Sequence, residues 1–566
     1  MMHKIILATA VMMIFCRLTA ASQALKNPDI IANTIEQWRV LEISLKSAKP
    51  YKDPFNDVEV TALFTGPGGI FIQRPAFWDG NNTWKIRFAP TAPGKWSMRT
   101  NASDTRNKGL NNVAATVRCV ANESDQEIYK HGFLKVSGNG RYFTYADGTP
   151  FFYLGDTHWL YIHERFDTSN VKGIASQFKY TVDKRVEQGF TVYQSEAIQM
   201  PHSAASGMHV RNDEEKGSNF SDGFDESDLA GFANIDRKFK YIAEKGLVNA
   251  NSSVTWALDP ADHPSVYKEA YMYKLGRYWC ARYGAYPVLW TIAQEIDKNM
   301  YDRYDSVTIN KWFSLAKGID DNDAYHHPLG AHMENTSAAL ASTSWWGNKK
   351  YHHWWPVQIQ DNMSSPDAAR NFWDNIPAKP VVLYESAYED FWTNAKGARS
   401  AGYKAFQYGM FGYGYGANGI WNDTYSDDPA DYGTGYEMPG RYLHWYKGAN
   451  LPGAAQLIHL KEFYQKARWW NLTPRFNDSL WSRFADQGKS LISSDAQKIF
   501  VVYFFNDTRA TGELRNLDKD DSYTAEWFDP RKGDCTVIGS FKSTDGHWTS
   551  PSKPDDEDWI LYVHKN

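Results

Sequence analysis

Short apolar runs alternate with helical patterns from about residue 130 to residue 475, and this alternation limits the folds open to the chain. Ile235, Phe239 and Ile242 share one helical face, and the chain becomes strand-like again at Val248. Repeated βα units build parallel sheets. The region therefore folds either as a (β/α)8 barrel or as a doubly wound sheet.

The segments on both sides of this region have the pattern of β-structure. In residues 25–122, short alternating runs are separated by Gly, Pro and Asn turns, which predicts a β-sandwich of immunoglobulin type. Residues 478–566 alternate in the same way and predict a second, small β-sandwich. A chain of 566 residues is too long for one core. We expect three domains, with the βα region at 130–475 between the two sandwiches.

The N-terminal segment has the three parts of a secretory signal peptide. Lys4 precedes an apolar run at residues 5–15, and mostly small residues follow at 20–24. The run is too short for a membrane-spanning helix, so we expect residues 1–24 to be cleaved and the protein to be secreted or periplasmic. Lipidation of Cys16 is the alternative, although the bulky Phe15 precedes it. Structural disulfides are not expected, because the other cysteines fall in different predicted domains: Cys119, Cys280 and Cys535.

Charge and composition limit the kinds of molecule that the protein is expected to bind. Lys and Arg number 61 and Asp and Glu 66, a formal net charge of −5, which predicts no binding to nucleic acid or to an anionic membrane. No run beyond the N-terminal segment approaches the length of a membrane span, so no membrane insertion is expected. Aromatic residues make up 15% of the chain, which suits either the stacking of sugar rings or large aromatic cores.

Most motifs of catalysis and metal binding do not occur. The sequence contains no HExxH, CxxC, GxSxG or Walker A pattern. Residues 414–419 match the GxGxxG spacing of dinucleotide sites, but a polar loop follows them where such a site needs a helix N-terminus. We expect no cofactor and no metal ion.

Two acids at predicted strand ends are the candidate catalytic residues. Glu295 closes the apolar run 287–295 (PVLWTIAQE), and Glu385 closes the run 379–385 (KPVVLYE). Counted in βα units of about 30 residues, they end the fourth and seventh strands of a barrel, whose active site lies at that end. Two facing carboxylates are what glycoside hydrolysis requires. The alternative for each acid is a structural ion pair.

Three segments of the central region resemble the apiosidase-like barrels of glycoside hydrolase family 140. They are residues 152–157 (FYLGDT), 379–389 (KPVVLYESAYE) and 412–421 (GYGYGANGIW). The N-terminal sandwich resembles the immunoglobulin-like module that often precedes such barrels, and the C-terminal one is similar to a small domain labelled as collagen-binding. The resemblance implies that residues 130–475 form a (β/α)8 barrel. It also implies a retaining glycosidase, with Glu385 as nucleophile and the acid of the fourth strand as proton donor.

The chain departs from the family pattern at the fourth strand. The family pattern places two glycines and an aspartate where residues 293–295 read AQE. Glu295 is one methylene longer than aspartate, and the small pair is gone. The leaving-group side of the site therefore differs in shape from that of the family. This difference puts specificity for apiose in doubt more than it puts the two-carboxylate mechanism in doubt.

Further residues at or just after strand ends are candidate substrate ligands. Asp156 ends the first strand, where it either holds a substrate hydroxyl or makes a structural hydrogen bond. His332 and Gln360, at the expected ends of the fifth and sixth strands, are candidate hydroxyl ligands. The candidate sugar-stacking residues, which could equally pack the barrel rim, are Trp159, Trp256, Trp355, Trp392 and Trp421.

We expect an exported glycoside hydrolase that acts on a polysaccharide or its oligosaccharides. Two rival interpretations remain. A non-catalytic carbohydrate-binding protein would keep the aromatic cleft without needing Glu295 and Glu385, and a cell-surface adhesion protein would use the two sandwiches. If Glu385 is a nucleophile, its carboxyl carbon lies about 5–5.5 Å from that of Glu295, whereas inversion requires about 6.5–9.5 Å.

Overall fold

The computed structural model describes residues 28–30, 33–196, 228–254, 268–296, 306–333, 346–347, 349–359, 363, 366–425, 442–476, 478–484, 489–494, 496–505 and 511–566. The predicted signal peptide and the candidate residues Trp256 and Gln360 lie outside these residues.

The described N-terminal residues form two facing sheets. Their elements are β1 (Asp29–Ile30), β2 (Thr34–Glu36), β3 (Leu41–Lys46), α1 (Pro54–Asp57), β4 (Val60–Thr65), β5 (Phe71–Pro75), β6 (Phe77–Trp78), β7 (Thr83–Phe88), β8 (Gly94–Ala102) and β9 (Ala114–Val120). The strand orders are β1-β3-β7-β6 and β2-β9-β8-β4-β5. Alternation turns the apolar side chains inward, where Phe64 and Phe88 stack with ring centroids 3.8 Å apart. The prediction of a β-sandwich is confirmed.

A short helix and a hairpin lead into the barrel. They are α2 (Glu127–His131), β10 (Lys135–Val136) and β11 (Phe143–Thr144), and the two strands pair antiparallel. Phe143 packs edge-on against Trp354 with ring centroids 5.5 Å apart. Because Trp354 precedes a barrel strand, the hairpin fills the amino-terminal end of the barrel and leaves the opposite end as the mouth.

Eight parallel strands form the barrel. They are β12 (Tyr153–His158), β13 (Val192–Glu196), β14 (Val248–Val254), β15 (Val288–Ala293), β16 (Leu329–Gly330), β17 (Trp355–Ile359), β18 (Val381–Ser386) and β19 (Gly412–Tyr415). The sheet order is β16-β15-β14-β13-β12-β19-β18-β17, and a parallel bridge between Met333 and Val357 joins its two ends. The sheet is therefore a nearly closed barrel and not a doubly wound sheet, as the preferred sequence interpretation predicts.

Helices surround this barrel. They are α3 (Gln177–Glu187), α4 (Asp228–Glu244), α5 (Glu269–Tyr283), α6 (Ser306–Asp320), α7 (Asp367–Asp374), α8 (Ala395–Gln407), α9 (Trp445–Ala449) and α10 (Pro452–Lys466). Each long helix turns an apolar stripe toward the outward-facing strand residues, as Phe178 of α3 does against Tyr193 of β13. This layer is the largest core of the protein.

The C-terminal residues form a second pair of sheets. Their strands are β20 (Leu472–Phe476), β21 (Ser482–Phe484), β22 (Lys489–Ser494), β23 (Ile499–Phe504), β24 (Gly512–Leu514), β25 (Ser522–Phe528), β26 (Cys535–Lys542), β27 (Trp548–Thr549) and β28 (Trp559–Lys565). The strand orders are β20-β22-β23-β28-β25-β26 and β21-β24-β27. The larger sheet begins at Leu472, before the predicted boundary at 478.

Buried ion pairs attach both sandwiches to the barrel helices. Asp236 of α4 accepts hydrogen bonds from Arg87 of β7 at 2.6 Å and from Arg282 of α5 at 2.7 Å. Although burial opposes ionisation, these two guanidinium groups hold the pKa of Asp236 below its usual range. On the other side, Arg399 of α8 donates to Asp558 at 3.0 Å, and both side chains are buried. Neither sandwich is loosely tethered.

Two features concern membranes and redox state. Within the described ranges, no helix is both long and apolar enough to cross a membrane. The cysteines that the structure describes are free thiols, with Cys119 and Cys280 buried and Cys535 exposed.

Candidate active site

The carboxyl ends of the barrel strands bring the two predicted acids to one mouth. Glu295 follows the end of β15 and Glu385 lies near the end of β18, the fourth and seventh barrel strands. Both are buried. The negative charges of both act on the same two neighbours, Glu196 and Tyr388. The structure therefore places both acids around a common site.

A β-bulge aims Glu385 at the mouth. Two consecutive residues of β17 pair with residues 383 and 385 of β18, which leaves Tyr384 as an extra residue. Such a bulge changes the direction of the side chain that follows it. Ser386 then faces the helix layer, where its hydroxyl lies 3.4 Å from that of Tyr413.

A chain of hydrogen bonds holds the Glu385 carboxylate. The Tyr388 hydroxyl donates to Glu385 Oε1. Trp159 Nε1 donates to the Tyr388 hydroxyl oxygen at 2.8 Å. On the other side, His332 Nε2 lies 3.5 Å from Glu385 Oε2. Burial, reinforced by the charge of Glu385, raises the pKa of Tyr388 well above its usual range, so Tyr388 remains a hydrogen-bond donor at neutral pH.

Glu295 lies in an unusual backbone conformation. Its φ is 44°, in the left-handed region that is costly for a residue with a side chain. The preceding residue, Gln294, lies between two polar groups of the site. With the amide oriented to satisfy both contacts, its nitrogen donates to Glu196 and its oxygen accepts from Trp159 Nε1 at 3.3 Å.

Glu196 is a third acid at the mouth, and the sequence interpretation missed it. It ends β13 and is buried. Burial and the negative charges of Glu295 and Glu385 raise the pKa of Glu196 well above its usual range, which favours its protonated form. A signal was present, because residues 192–196 (VYQSE) end in an acid just as the other two strands do.

Aromatic side chains line the site and its rim. Trp159 is buried and stacks on His332 with ring centroids 5.7 Å apart. Above them, Tyr388 lies nearly parallel to Trp421 at 5.0 Å and stacks on Trp392 at 5.1 Å. Trp392 is 44% exposed, so part of its ring is open to a ligand. Four predicted ligands thus lie together: Trp159, His332, Trp392 and Trp421.

Asp156 does not face the mouth, contrary to one sequence interpretation. Its carboxylate is buried, accepts from Arg185 Nε at 2.6 Å and lies 2.6 Å from His158 Nε2. Arg185 belongs to α3, outside the barrel. Side chains alternate along β12, and the neighbours of Asp156, residues 155 and 157, face Gln194 inside the barrel. Asp156 is therefore part of a structural ion pair rather than a ligand for substrate.

Trp355 also lies away from the mouth. It is the first residue of β17, at the amino-terminal end of that strand, and it is only 1% exposed. Its ring packs against His352 and Phe372 with centroid distances of 4.2 and 5.5 Å. The sequence interpretation placed it after a strand end, whereas β17 begins there.

The described residues show neither the ligand cluster of a metal site nor the helix of a dinucleotide site. In the part of the chain that the structure describes, no group of three or more His, Cys, Asp or Glu side chains is arranged to hold a metal ion. Residues 414–419 run from the end of β19 into turns rather than into a helix. That segment therefore lacks the helix N-terminus that a dinucleotide phosphate needs.

A parallel eight-stranded barrel with buried acids at the ends of its fourth and seventh strands defines the class of glycoside-hydrolase-like barrels. Within this class, the chain belongs to the apiosidase-like catalytic-domain family, whose model matches residues 137–471. Residues 34–103 match a domain of unknown function, DUF5060. Residues 480–564 match a family described as "Putative collagen-binding domain of a collagenase". No curated protein matches the chain.

Solved structures agree with this assignment at the level of fold. A "putative glycoside hydrolase" from Bacteroides vulgatus has a TM-score of 0.70 at 18% identity, covering 94% of this chain and 100% of that one. A glycoside hydrolase family 5 protein from the same organism has a TM-score of 0.59 at 20% identity, covering 77% and 94%. Together with the family membership, these neighbours support a glycosidase.

Proposed function

We propose that this protein is an exported glycoside hydrolase that cleaves a polysaccharide or its oligosaccharides with retention of anomeric configuration. Glu385 acts as the nucleophile, and Glu295 acts as the acid and then as the base. One observation carries the proposal: the Tyr388 hydroxyl donates to Glu385 Oε1. That bond holds a buried carboxylate in a fixed orientation at the barrel mouth, where a second acid is also present.

The reaction takes place in two steps. First, Glu295 gives its proton to the leaving-group oxygen while a carboxylate oxygen of Glu385 attacks the anomeric carbon. The glycosidic bond breaks, the leaving group departs as an alcohol, and a glycosyl ester of Glu385 forms. Then Glu295 removes a proton from water as that water attacks the same carbon. The ester bond breaks, and both carboxyl groups return to their starting states.

The surroundings of Glu385 suit the role of nucleophile. A hydrogen bond to an ionised acceptor is about twice as strong as one between neutral groups, so Tyr388 stabilises the carboxylate that departs in the second step. Trp159 donates to Tyr388 and thereby polarises the same hydroxyl. His332 flanks the other carboxylate oxygen. These contacts orient the carboxylate before the substrate arrives.

The family description and the rim aromatics favour a sugar substrate of the apioside type. Trp392 is partly exposed beside Tyr388, where its ring face suits a sugar. Residues 293–295 (AQE) alter the leaving-group side relative to the family pattern. An apioside is therefore the first substrate to test, within a panel of other glycosides.

Export is part of the proposal and has its own test. If residues 1–24 are removed as a signal peptide, N-terminal sequencing of the exported protein gives a start near Ser22 or Leu25. Retention of Met1, or a lipid on Cys16, contradicts this part of the proposal.

The activity is tested by release of reducing sugar from a polysaccharide panel that includes apiose-containing polymers. The wild-type protein is expected to act on at least one polymer, and Glu385→Gln to abolish that action. Glu389→Gln is the matched control, because Glu389 is also a buried glutamate but binds Tyr415 and the Gly453 amide. Binding of a polymer with no hydrolysis, or full activity of Glu385→Gln, would reject the proposal and favour a carbohydrate-binding protein.

A further inference from the structure

Glu196 has no part in the two catalytic roles assigned above. It ends β13, pairs in register with Ser252 of β14 and is 3% exposed. Its Oε1 accepts a hydrogen bond from the side-chain amide of Gln294. Because Gln294 directly precedes Glu295, the Glu196 side chain at the end of the second barrel strand contacts the turn that carries Glu295 after the fourth strand.

That turn requires support. A glutamate at φ 44° lies in the left-handed region, which is costly for a residue with a side chain, and such residues persist only where their surroundings hold them. The Gln294 amide is held from two sides, by Glu196 and by Trp159 Nε1 at 3.3 Å. Trp159 also donates to Tyr388, so these contacts extend to the nucleophile.

We propose that Glu196 is a positioning residue: its carboxyl binds the Gln294 amide and so fixes the turn that presents Glu295 to the leaving-group oxygen. This inference rests on the proposed role of Glu295 as the acid. Proton donation depends steeply on where the donor lies relative to the departing oxygen. Loss of the Glu196 contact therefore impairs acid assistance more than nucleophilic attack.

The charge state of Glu196 agrees with this role. Its pKa is raised well above the usual range by burial and by the charges of Glu295 and Glu385, which favours the neutral carboxyl. A neutral carboxyl still accepts from the Gln294 amide. It does so without adding a further negative charge beside Glu385.

The kinetic test uses leaving groups of different quality. For the glycosides that the wild-type protein hydrolyses, kcat/KM is measured with a phenyl and a 2,4-dinitrophenyl leaving group. Glu196→Ala is expected to lower kcat/KM roughly 10- to 100-fold for the phenyl glycoside and less than about threefold for the dinitrophenyl one, which needs little acid help. Glu196→Gln keeps a neutral acceptor for Gln294 and is expected to stay within about threefold of wild type on both.

A matched control separates positioning from general destabilisation. Glu389→Ala also removes a buried glutamate that accepts hydrogen bonds, yet it lies away from Gln294 and Glu295. It is expected to lower the thermal midpoint without introducing a dependence on the leaving group. Equal losses on both substrates for Glu196→Ala, or none, overturn the proposal. A leaving-group-dependent loss in Glu196→Gln as large as in Glu196→Ala also overturns it, because Glu196 itself would then be the proton donor.

A structural readout is independent of the substrate. Crystal structures of the two variants are expected to show Glu295 leaving the left-handed region in Glu196→Ala and keeping it in Glu196→Gln. An unchanged Glu295 backbone in Glu196→Ala overturns the positioning role even if no hydrolysis is ever found. If instead the proposed function is wrong, Glu295→Gln leaves all turnover intact while the structural result still stands.

Discussion

Replacing Tyr388 by phenylalanine removes one oxygen atom and tests how Glu385 is held. The lost bond runs from a neutral hydroxyl to a buried carboxylate. Hydrogen bonds to charged groups contribute about 1.5–3 kcal/mol. In the first step, which kcat/KM reports, the bond orients the attacking carboxylate. Loss of the full contribution in that step lowers kcat/KM roughly 10- to 150-fold.

The same substitution has a second, separable effect on stability. Trp159 Nε1 loses its 2.8 Å acceptor and keeps only the 3.3 Å contact with Gln294, at a cost of about 0.5–1.5 kcal/mol in the free energy of unfolding. Steady-state kinetics on the best substrate of the panel gives the first effect, and urea unfolding gives the second.

Tyr415→Phe is the matched control for Tyr388→Phe. Tyr415 is also buried, and its hydroxyl donates to the carboxylate of Glu389 at 2.5 Å, away from the barrel mouth. It is expected to reduce stability similarly while kcat/KM changes by less than about threefold. Equal kinetic losses in the two variants, or wild-type kcat/KM in Tyr388→Phe, would refute the role given to the hydroxyl.

Three further outcomes follow from the structure. Trp392→Ala removes a partly exposed ring at the rim. KM is therefore expected to rise about threefold to tenfold, with kcat and the thermal midpoint nearly unchanged. An unchanged KM excludes Trp392 from the sugar subsite. Although burial opposes its charge, neighbouring carboxylates raise the pKa of His158 to about 9, above the ordinary histidine value of 6.5. The stability that His158 contributes is thus complete below about pH 6.5 and is lost as pH rises through 9. Urea unfolding is expected to show this loss as about 3 kcal/mol in the free energy of unfolding. A pH dependence of the wild-type protein that is no steeper than that of His158→Gln contradicts this. Asp558→Ala leaves Arg399 buried without its carboxylate and is expected to cost about 3–5 kcal/mol in calorimetry, whereas a wild-type thermal midpoint would show that the C-terminal sandwich is not held there.

The C-terminal sandwich is expected to stabilise the barrel rather than to bind collagen. Its deletion exposes the partners of β25 and β28 on α10, including Phe463, which packs on Phe528 of β25 and Tyr562 of β28 with ring centroids 4.7 and 5.6 Å apart. Deletion should therefore lower stability or solubility. Specific micromolar binding of the full chain to collagen, lost on deletion, would instead revive the adhesion interpretation.

Apolar runs separated by helical patterns were enough to predict repeated βα units. They left a barrel and a doubly wound sheet open, and the resemblance to apiosidase-like barrels selected the barrel. Glu295 and Glu385 were found because an acid directly after a buried strand is conspicuous. The same rule identifies Glu196 when it is applied to the second strand, so the sequence contained the information needed to predict this third acid.

Other features depend on geometry that the sequence does not encode locally. Asp156 lies at a strand end like the acids, but the pleat turns it outward to Arg185, and only the register of β12 reveals this. Trp355 was predicted to lie at or just after a strand end, but it is the first residue of β17. The bulge at Tyr384 is visible only once β17 and β18 are paired.

Proton NMR of the first-formed product tests the central claim most directly. Glycosyl transfer to Glu385 and then to water inverts the anomeric carbon twice, so the sugar is released with the configuration it had in the substrate. The spectrum is recorded within the first minutes, before mutarotation mixes the anomers. We predict the retained anomer first. An inverted anomer would contradict the assignment, because Glu385 would then activate water as a base or would not be the partner of Glu295 at all.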